Sequence, residues 1–272
     1  MIQYPHCKIN LGLSIVAKRA DGFHELETVF YPVALKDILE ITPAKTNDAT
    51  SFSNSGLAIP GDSINNLCLK AYHLLKADFP SLPEIQMHLY KIIPMGAGLG
   101  GGSSDGTFAL KILNALFQIG LSLEQLMLYA EKLGSDCPYF LYDTPCHATG
   151  KGELLSPIEC NLSNYSIVLL HPGIHIATPW AFQQIMPCKK DKLIAAIIQQ
   201  PISTWKQELM NDFEAPVIQA HPIIGALKND LYQQGAVYAS MSGSGSSLYG
   251  IFEKNKKYQK SDLSNNVRID TV

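Results

Sequence analysis

The clearest candidate for a ligand-binding segment is the glycine-rich turn at 94–104, Pro-Met-Gly-Ala-Gly-Leu-Gly-Gly-Gly-Ser-Ser. Residues without side chains let backbone N–H groups converge on one point, and such a point attracts an anion. A strand-like run at 85–93 leads into the turn, and a helix is predicted to begin near Ser103. The helix dipole would favour an anion, and the hydroxyls of Ser103 and Ser104 would add donors or a Mg²⁺ ligand. Phosphate binding is therefore predicted, with a tight structural turn as the alternative that composition leaves open.

Other phosphate-binding motifs fit these residues poorly. Gly96, Gly98 and Gly101 match the dinucleotide fingerprint, which is a weak pattern in isolation. A Rossmann unit would place an acidic residue at the end of a second strand about 20 residues on, where this chain has a helix leading into Gly120. No Gly-Lys-Ser/Thr follows the glycines, and the chain lacks the His-Arg-Asp and Asp-Phe-Gly motifs of protein kinases.

Histidine and cysteine spacing does not predict a transition-metal site. His24 opens a sequence like H-E-x-x-H, but Thr28 stands where the second ligand would be. His171 and His175 are separated by Pro-Gly, which argues against one helical face. The six cysteines contain no C-x-x-C pair, so reduced structural thiols are expected.

The elements that must position the turn follow from periodicity. Residues 4–16 alternate in character, with Lys8 and Asn10 on one face, and predict a half-buried strand. Asp-Gly at 21–22 predicts a hairpin with a return strand at 23–35. Further strands are predicted at 37–43, within 45–62, at 85–93 and 166–173, and as a pair within 236–252. Helices are predicted at 63–77, from about 103, from 122 with a capping box, from 178, and at 189–198.

Composition excludes several classes of function. The 272 residues are 46% hydrophobic and 17% charged, with a net charge of -3, which is typical of a folded globular protein. No Lys/Arg run could follow a nucleic acid backbone, and no apolar stretch is long enough to span a bilayer. The first residues lack the pattern of a signal or transit peptide, so a cytoplasmic protein without nucleic-acid or membrane partners is expected.

The turn at 94–106 resembles the ATP-binding loop of the GHMP kinase superfamily, and its Gly-Gly-Gly-Ser-Ser-Asp form resembles one branch of it. Segments 8–13 with 19–24, 134–140 and 241–247 agree with that branch in the same order. The resemblance therefore spans nearly the whole chain. Gly106 is a departure, because the family usually has Ala there. It should loosen the first turn of the helix by roughly 1 kcal/mol or less.

The resemblance implies an α+β protein with the two-domain GHMP kinase fold, divided into 1–153 and 154–272, with the active site in the cleft between the domains. It implies an ATP-dependent kinase that uses Mg²⁺ and phosphorylates the 2-hydroxyl of a cytidine diphosphate-linked methylerythritol. That reaction belongs to the non-mevalonate (methylerythritol phosphate) pathway of isoprenoid precursor synthesis. Another small-alcohol kinase, such as a mevalonate or homoserine kinase, is an alternative. A catalytically inactive nucleotide-binding protein on the same fold is another.

Site residues are likewise implied by the resemblance. Asp136 would orient or deprotonate the substrate hydroxyl, and Lys8 would pair with it and stabilise negative charge. Without the resemblance, Asp136 would be a helix cap, Lys8 a solvated strand residue and Asn66 a helix N-cap. Ser104 is the candidate Mg²⁺ ligand. The expected ATP contacts are Asn66, Pro94, Met95, Gly96, Ala97, Gly98, Leu99, Gly100, Gly101, Gly102, Ser103 and Ser104. The expected substrate contacts are Asn10, Phe23, His24, Trp180 and Phe182, with the choice of stacking ring between Trp180 and Phe182 open.

Overall fold

The computed structural model describes residues 1–45, 48–62, 65–265 and 267–272. The chain forms two units, each built from segments that are not contiguous in sequence. Unit 1 consists of Met1–Cys7, Ala34–Met95 and Gly100–Asp143, and unit 2 consists of Lys8–Val33, Gly96–Leu99 and Thr144–Val272. The division of the chain after residue 153 stays a prediction.

Helices and strands together make an α+β fold. The strands are β1 (Ile2–Gln3), β2 (His6–Lys18), β3 (His24–Lys36), β4 (Ile38–Pro43), β5 (Ser51–Gly56), β6 (Ile85–Lys91), β7 (Cys146–Thr149), β8 (Leu154–Pro157), β9 (Tyr165–His171), β10 (Tyr238–Met241), β11 (Leu248–Glu253) and β12 (Arg268–Thr271). The α-helices are α1 (Leu67–Asp78), α2 (Gly101–Leu116), α3 (Leu123–Leu133), α4 (Thr178–Gln183), α5 (Ile194–Ile198), α6 (Ile202–Glu208), α7 (Glu214–Ala220) and α8 (Pro222–Gln233). A 3₁₀ helix spans Cys137–Leu141 and another Asp262–Ser264.

Unit 1 contains the sheet in the order β1-β4-β6-β5 and helices α1 to α3. Strands β5 and β6 are parallel, and α1 connects them as a βαβ crossover. Along β6 the residues Ile85, Met87 and Leu89 point inward at every second position, as the strand period requires. Helix α3 begins with the predicted capping box between Ser122 and Gln125. The core of unit 1 therefore lies between its sheet and the buried faces of α1, α2 and α3.

Unit 2 contains two four-stranded sheets, in the orders β2-β3-β7-β8 and β10-β11-β9-β12, and helices α4 to α8. The predicted hairpin of β2 and β3 and the predicted strand pair β10 and β11 are both confirmed. A hydrophobic cluster packs residues of β2, β9, β10, β11, α7 and α8 together, including Ile15, Leu170, Ile224 and Leu231. This cluster anchors the strand that carries Lys8 and Asn10.

Two predictions about secondary structure are wrong. Strand β2 is not half-buried, because every residue from His6 to Ile15 is buried and both of its faces are therefore covered. The helix predicted at 189–198 is only the short α5, since residues 189–193 are irregular. Helices α6 to α8 and strands β1, β7, β8 and β12 were not predicted. The first two residues of the helix predicted at 63–77 lie outside the described residues, and in the part of the chain described no helix is long and apolar enough to cross a membrane.

Candidate active site

The glycine turn has a backbone that side chains would strain. Gly96, Gly98 and Gly100 have φ angles of 63°, 78° and 70°, in the left-handed region that favours glycine. Between them, the side chains of Ala97 and Leu99 are each only 2% exposed. The turn is therefore fixed by buried side chains at alternate positions, with glycines supplying the conformation at the others.

In unit 2, the turn packs against the Ser/Gly turn between β10 and β11. The Ser242 hydroxyl donates to the Gly98 carbonyl at 2.7 Å, and the Ser247 N–H donates to the Ala97 carbonyl at 3.2 Å. A Cβ atom on Gly98 would lie 2.0 Å from the Ser242 carbonyl oxygen, so only glycine fits. The late turn therefore packs beside the glycine turn.

In unit 1, the turn leads directly into α2, which begins at Gly101, two residues before the predicted start. The N-cap residue Gly100 offers no side-chain cap, and the first N–H groups of a helix have no partners within it. A Cβ atom on Gly101 would lie 2.7 Å from Cγ2 of Ile93. The Ser104 side chain is buried, and its hydroxyl has no hydrogen-bond partner among the described residues. This helix start combines uncapped donors with a buried hydroxyl that a ligand could satisfy.

A buried ion-pair cluster lies directly beneath the start of α2. The ammonium of Lys91 is 2.5 Å from Oδ2 of Asp37 and 2.7 Å from Oδ2 of Asp105, and all three side chains are almost fully buried. Asp37 also accepts the backbone N–H groups of Ile92 and Ile93. A Cβ atom on Gly101 would lie 3.1 Å from the Lys91 ammonium. An ammonium paired with carboxyl groups, with no net positive charge, therefore lies under the first residue of the helix.

Protonation within this cluster is shifted by burial. Burial raises the pKa of the Asp105 carboxyl well above its usual range, and the nearby Asp37 carboxylate raises it further against the opposing effect of Lys91. Burial lowers the pKa of Lys91, but Asp105 and Asp37 together outweigh it and the net shift is upward. The ammonium therefore stays charged, and the Asp105 carboxyl takes up a proton more readily than an ordinary aspartate does. Its second oxygen, Oδ1, has no partner among the described residues.

Asp105 also borders a cavity of about 170 Å³ in unit 1. The other lining residues come from β5, the loop after it, the start of α1 and the glycine turn, and they are Phe52, Asn54, Ile59, Pro60, Gly61, Asp62, Asn65, Asn66, Leu67, Met95 and Gly102. Asn66 is the N-cap of α1, where its Oδ1 accepts the Cys68 N–H at 2.8 Å. The capping role of Asn66 is therefore confirmed, and the side-chain NH₂ group is not needed for it.

Lys8 and Asn10 lie together on β2, as their spacing predicted. The Lys8 ammonium donates to Oδ1 of Asn10 at 2.7 Å and lies 4.7 Å from the centroid of the Phe30 ring. The Asn10 NH₂ group donates to the Thr28 hydroxyl at 3.0 Å, and Thr28 donates to the Gly12 carbonyl. Lys8 is only 4% exposed, so the interpretation of Lys8 as a solvated strand residue is wrong. A buried ammonium held in place by an amide oxygen can stabilise negative charge that develops in a transition state.

Asp136 precedes the 3₁₀ helix Cys137–Leu141, and its side chain makes no capping hydrogen bond there. The residues alone favoured a helix-cap role for the Asp136 side chain, and the structure does not have that capping hydrogen bond. The Thr107 hydroxyl contacts both the Ser103 carbonyl at 2.9 Å and the Cys137 carbonyl at 2.8 Å, which ties the first turns of α2 to the residue after Asp136. Burial raises the pKa of the Cys137 thiol to about 12, so this neighbour is not a nucleophile.

An aromatic group in unit 2 brings together two of the predicted base-binding residues, His24 and Phe182. The His24 and Phe182 rings stack with centroids 4.8 Å apart and an angle of 19° between their planes. Phe182 in turn meets Phe213 edge to face at 4.9 Å. Phe23 is 58% exposed, so it is not the core residue that its type suggests. Trp180 lies two positions before Phe182 on α4 and packs partly buried against the hydrophobic cluster.

Sequence reasoning missed the cluster of Asp37, Lys91 and Asp105. One signal was available, because Lys91 continues the inward face of β6 after Leu89, and a lysine at an inward position needs a buried partner. Asp105 was considered only as part of the Gly-Gly-Gly-Ser-Ser-Asp motif, and no partner was assigned to it. Nothing local marks Asp37 as its partner, since 54 residues separate Asp37 from Lys91.

Known proteins resemble the chain over nearly its full length. Family models match for the GHMP kinases N terminal domain at residues 66–144 and for GHMP kinases C terminal at residues 193–264. A Bacteroides thetaiotaomicron protein named 4-diphosphocytidyl-2-C-methyl-D-erythritol kinase is 50% identical over 268 residues, covering 98% of this chain and 97% of that protein. A Salinibacter ruber protein of the same name is 37% identical over 254 residues, covering 91% and 88%.

Solved structures give the same result. A crystal structure of 4-(cytidine 5'-diphospho)-2C-methyl-D-erythritol kinase matches with a TM-score of 0.79 and 31% identity, covering 92% of this chain and 90% of that one. Mevalonate kinase from Methanococcus jannaschii matches with a TM-score of 0.72 at 15% identity, covering 100% and 97%, which shows a common fold alone. The chain belongs to the GHMP kinase superfamily and, within it, to the family of 4-diphosphocytidyl-2-C-methyl-D-erythritol kinases.

Proposed function

We propose that this enzyme transfers the γ-phosphoryl group of ATP to the 2-hydroxyl of 4-diphosphocytidyl-2-C-methyl-D-erythritol, in the methylerythritol phosphate pathway of isoprenoid precursor synthesis. The observation that carries the proposal is the 50% identity, over 98% of the chain, to a kinase named for this substrate. Solved structures of mevalonate kinases and homoserine kinases have a similar fold at only 13–17% and 14–18% identity, which does not favour their substrates here.

ATP phosphates would bind at the start of α2. The uncapped N–H groups after Gly100 and the positive helix end favour an anion there. The buried hydroxyl of Ser104 has no partner in the described part of the chain, and it would donate a hydrogen bond to a phosphate oxygen or coordinate Mg²⁺. When bound, Mg²⁺ would neutralise charge on the phosphate oxygens.

The adenine ring would occupy the neighbouring cavity of unit 1. Its walls combine apolar side chains such as Leu67 and Met95 with the polar groups of Asn66 and Asp105. The side-chain NH₂ group of Asn66 is a donor, and Oδ1 of Asp105 is without a described partner. A planar base with donors and acceptors on its edge suits a site of this kind.

Asp136 and Lys8 would carry the transfer step. As the substrate oxygen attacks the γ-phosphorus, Asp136 accepts the proton of the 2-hydroxyl, a P–O bond forms, and the bond to the oxygen that bridges the β- and γ-phosphates breaks to release ADP. The Lys8 ammonium, held by Asn10, stabilises the negative charge that develops. Phosphoryl transfer needs little more from a protein than such positioning and charge.

The cytosine would be read in unit 2 by Phe23, His24 and Phe182. His24 stacks on Phe182, and for this reason we propose Phe182 in preference to Trp180 as the second aromatic surface. Phe23 is exposed enough for a base to stack on its ring. We further propose that the enzyme works in the cytoplasm, since all six of its cysteines are free thiols and a reducing compartment keeps them so.

The test is a coupled ADP-release assay with the cytidyl substrate, mevalonate and homoserine. ADP release should require the cytidyl substrate. Asp136→Asn should lower kcat by about 10²–10⁴-fold because the proton acceptor is lost, whereas Asp191→Asn, at an exposed carboxylate, should leave it unchanged. Turnover of mevalonate or homoserine instead would overturn the substrate assignment. An Asp136→Asn protein as fast as the parent would overturn the mechanism.

A further inference from the structure

Lys151, in the turn between β7 and β8, lies over the Phe23 ring. Its ammonium is 4.9 Å from the centroid of that ring, within the range of a cation–π interaction. The Phe23 side chain is largely exposed, so packing alone does not hold the ring in one rotamer. The ammonium therefore covers one face of a ring that the surrounding core leaves uncovered.

The backbone around Phe23 is fixed independently of Lys151. The Phe23 carbonyl accepts the Arg19 N–H at 2.8 Å, and the Phe23 N–H donates to Oδ1 of Asp21 at 3.1 Å. The pKa of Asp21 is lowered, mainly by that Phe23 N–H and further by Arg19 and Lys151, so its carboxylate is charged. With the backbone held, what remains to be ordered at this position is the ring.

Hydrogen bonds also join the turn of Phe23 to the turn of Lys151. The Leu26 N–H donates to the Gly150 carbonyl at 2.8 Å, and the Gly150 N–H donates to Oε1 of Glu25 at 3.1 Å. Arg19 donates to the other oxygen of Glu25 at 3.0 Å. The two turns thus form one assembly, which keeps the ammonium within reach of the ring.

We infer that Lys151 is a positioning residue for recognition of the pyrimidine base: its ammonium holds one face of the Phe23 ring so that the other face is ready to stack on the base. The inference rests on the proposed function, in which Phe23 contacts the cytosine. A cation on one face of the ring lowers the cost of ordering it when the substrate binds. The contribution of an exposed cation–π pair corresponds to about a two- to fivefold change in affinity.

The experiment compares Lys151→Met, Lys151→Arg and Lys206→Met in the full-length enzyme. Methionine keeps most of the side-chain stem and removes the charge. Lys206 lies 4.4 Å from the Tyr232 ring, so its variant is a matched loss of a cation–π pair that has no proposed part in the site. The KM for the cytidyl substrate should rise about two- to fivefold in Lys151→Met. In Lys151→Arg, which keeps the positive charge, this KM should equal that of the parent enzyme. The kcat, the KM for ATP and all parameters of Lys206→Met should be unchanged.

A double-mutant cycle separates positioning from general stability. In a Phe23→Leu background, Lys151→Met should have no further effect on the KM for the cytidyl substrate. An unchanged KM in Lys151→Met, a lowered one, or an equal rise in the KM for ATP would overturn the inference while leaving the proposed function intact. A lowered KM would mean that the ammonium occupies the face the base uses. A parent enzyme that releases no ADP with the cytidyl substrate would overturn both.

Discussion

Replacing Gly106 with alanine has two opposite effects on the stability of the fold: the helix propensity of alanine raises it, and close packing against Leu67 lowers it. Gly106 is the sixth residue of α2, where alanine is intrinsically favoured over glycine by about 1 kcal/mol. A Cβ atom there would lie 2.7 Å from Cβ and 3.3 Å from the carbonyl oxygen of Leu67, the first residue of α1. These atoms belong to the backbone or adjoin it, so no side-chain rotation can move them away.

The size of the clash decides the outcome. Carbon atoms pack at about 3.5–4.0 Å, so α1 and α2 would have to separate by about 1 Å at this contact. Overpacking of this kind costs about 1–3 kcal/mol. After the gain in helix propensity, Gly106→Ala should lower the free energy of unfolding by about 1 kcal/mol. Since Leu67 and its neighbour Asn66 line the cavity proposed for adenine, the KM for ATP should rise as well.

Urea unfolding and initial-rate kinetics measure both quantities, and Gly225→Ala in α8 is the matched control. A Cβ atom on Gly225 would meet Cγ2 of the Ile218 side chain at 2.8 Å, so its close contact is with a side chain and not with the backbone. The control should be destabilised less than Gly106→Ala, with an unchanged KM for ATP. If Gly106→Ala were at least as stable as the control and bound ATP normally, the close approach of the two helices would not be what retains glycine at position 106.

Two further predictions concern the buried charges and the aromatic group. Asp37→Asn should destabilise the fold by about 3–5 kcal/mol because it breaks a buried ion pair, whereas Asp105→Asn should keep or raise stability at neutral pH. An acid whose pKa is higher in the folded than in the unfolded protein destabilises the fold at pH values above its unfolded pKa. Unfolding of the parent protein at a series of pH values should therefore show a gain in stability on acidification from pH 7, and Asp105→Asn should lack that gain. If Asp105→Asn were less stable than Asp37→Asn, this reasoning would be contradicted. Phe182→Leu should raise the KM for the cytidyl substrate by roughly 5- to 100-fold through loss of stacking, and Trp180→Leu by much less. Steady-state kinetics that gave the opposite order would assign the stacking to Trp180.

Secondary structure was predictable where its signals are local. The capping box of Ser122 and Gln125, the Asp-Gly turn before β3 and the alternation of β6 each involve neighbouring residues, and each element formed as predicted. The prediction failed at 189–193, where the chain is irregular and its residues, Lys-Lys-Asp-Lys-Leu, include only one apolar side chain. It also misjudged β2, because alternation reports polarity and cannot reveal that both faces are covered.

The sequence by itself determined the glycine turn, the helix that follows it and the family, because these depend on residue types within a few positions of each other. Tertiary structure alone decided that Lys8 is buried against Asn10, that Lys91 has two carboxylate partners, and that His24 rests on Phe182. Each of the last two contacts joins segments that are distant in the chain, and burial of a charge depends on everything packed around it. Such contacts follow from the folded core as a whole, and local spacing gives at most the inward position of Lys91 and not the identity of its partners.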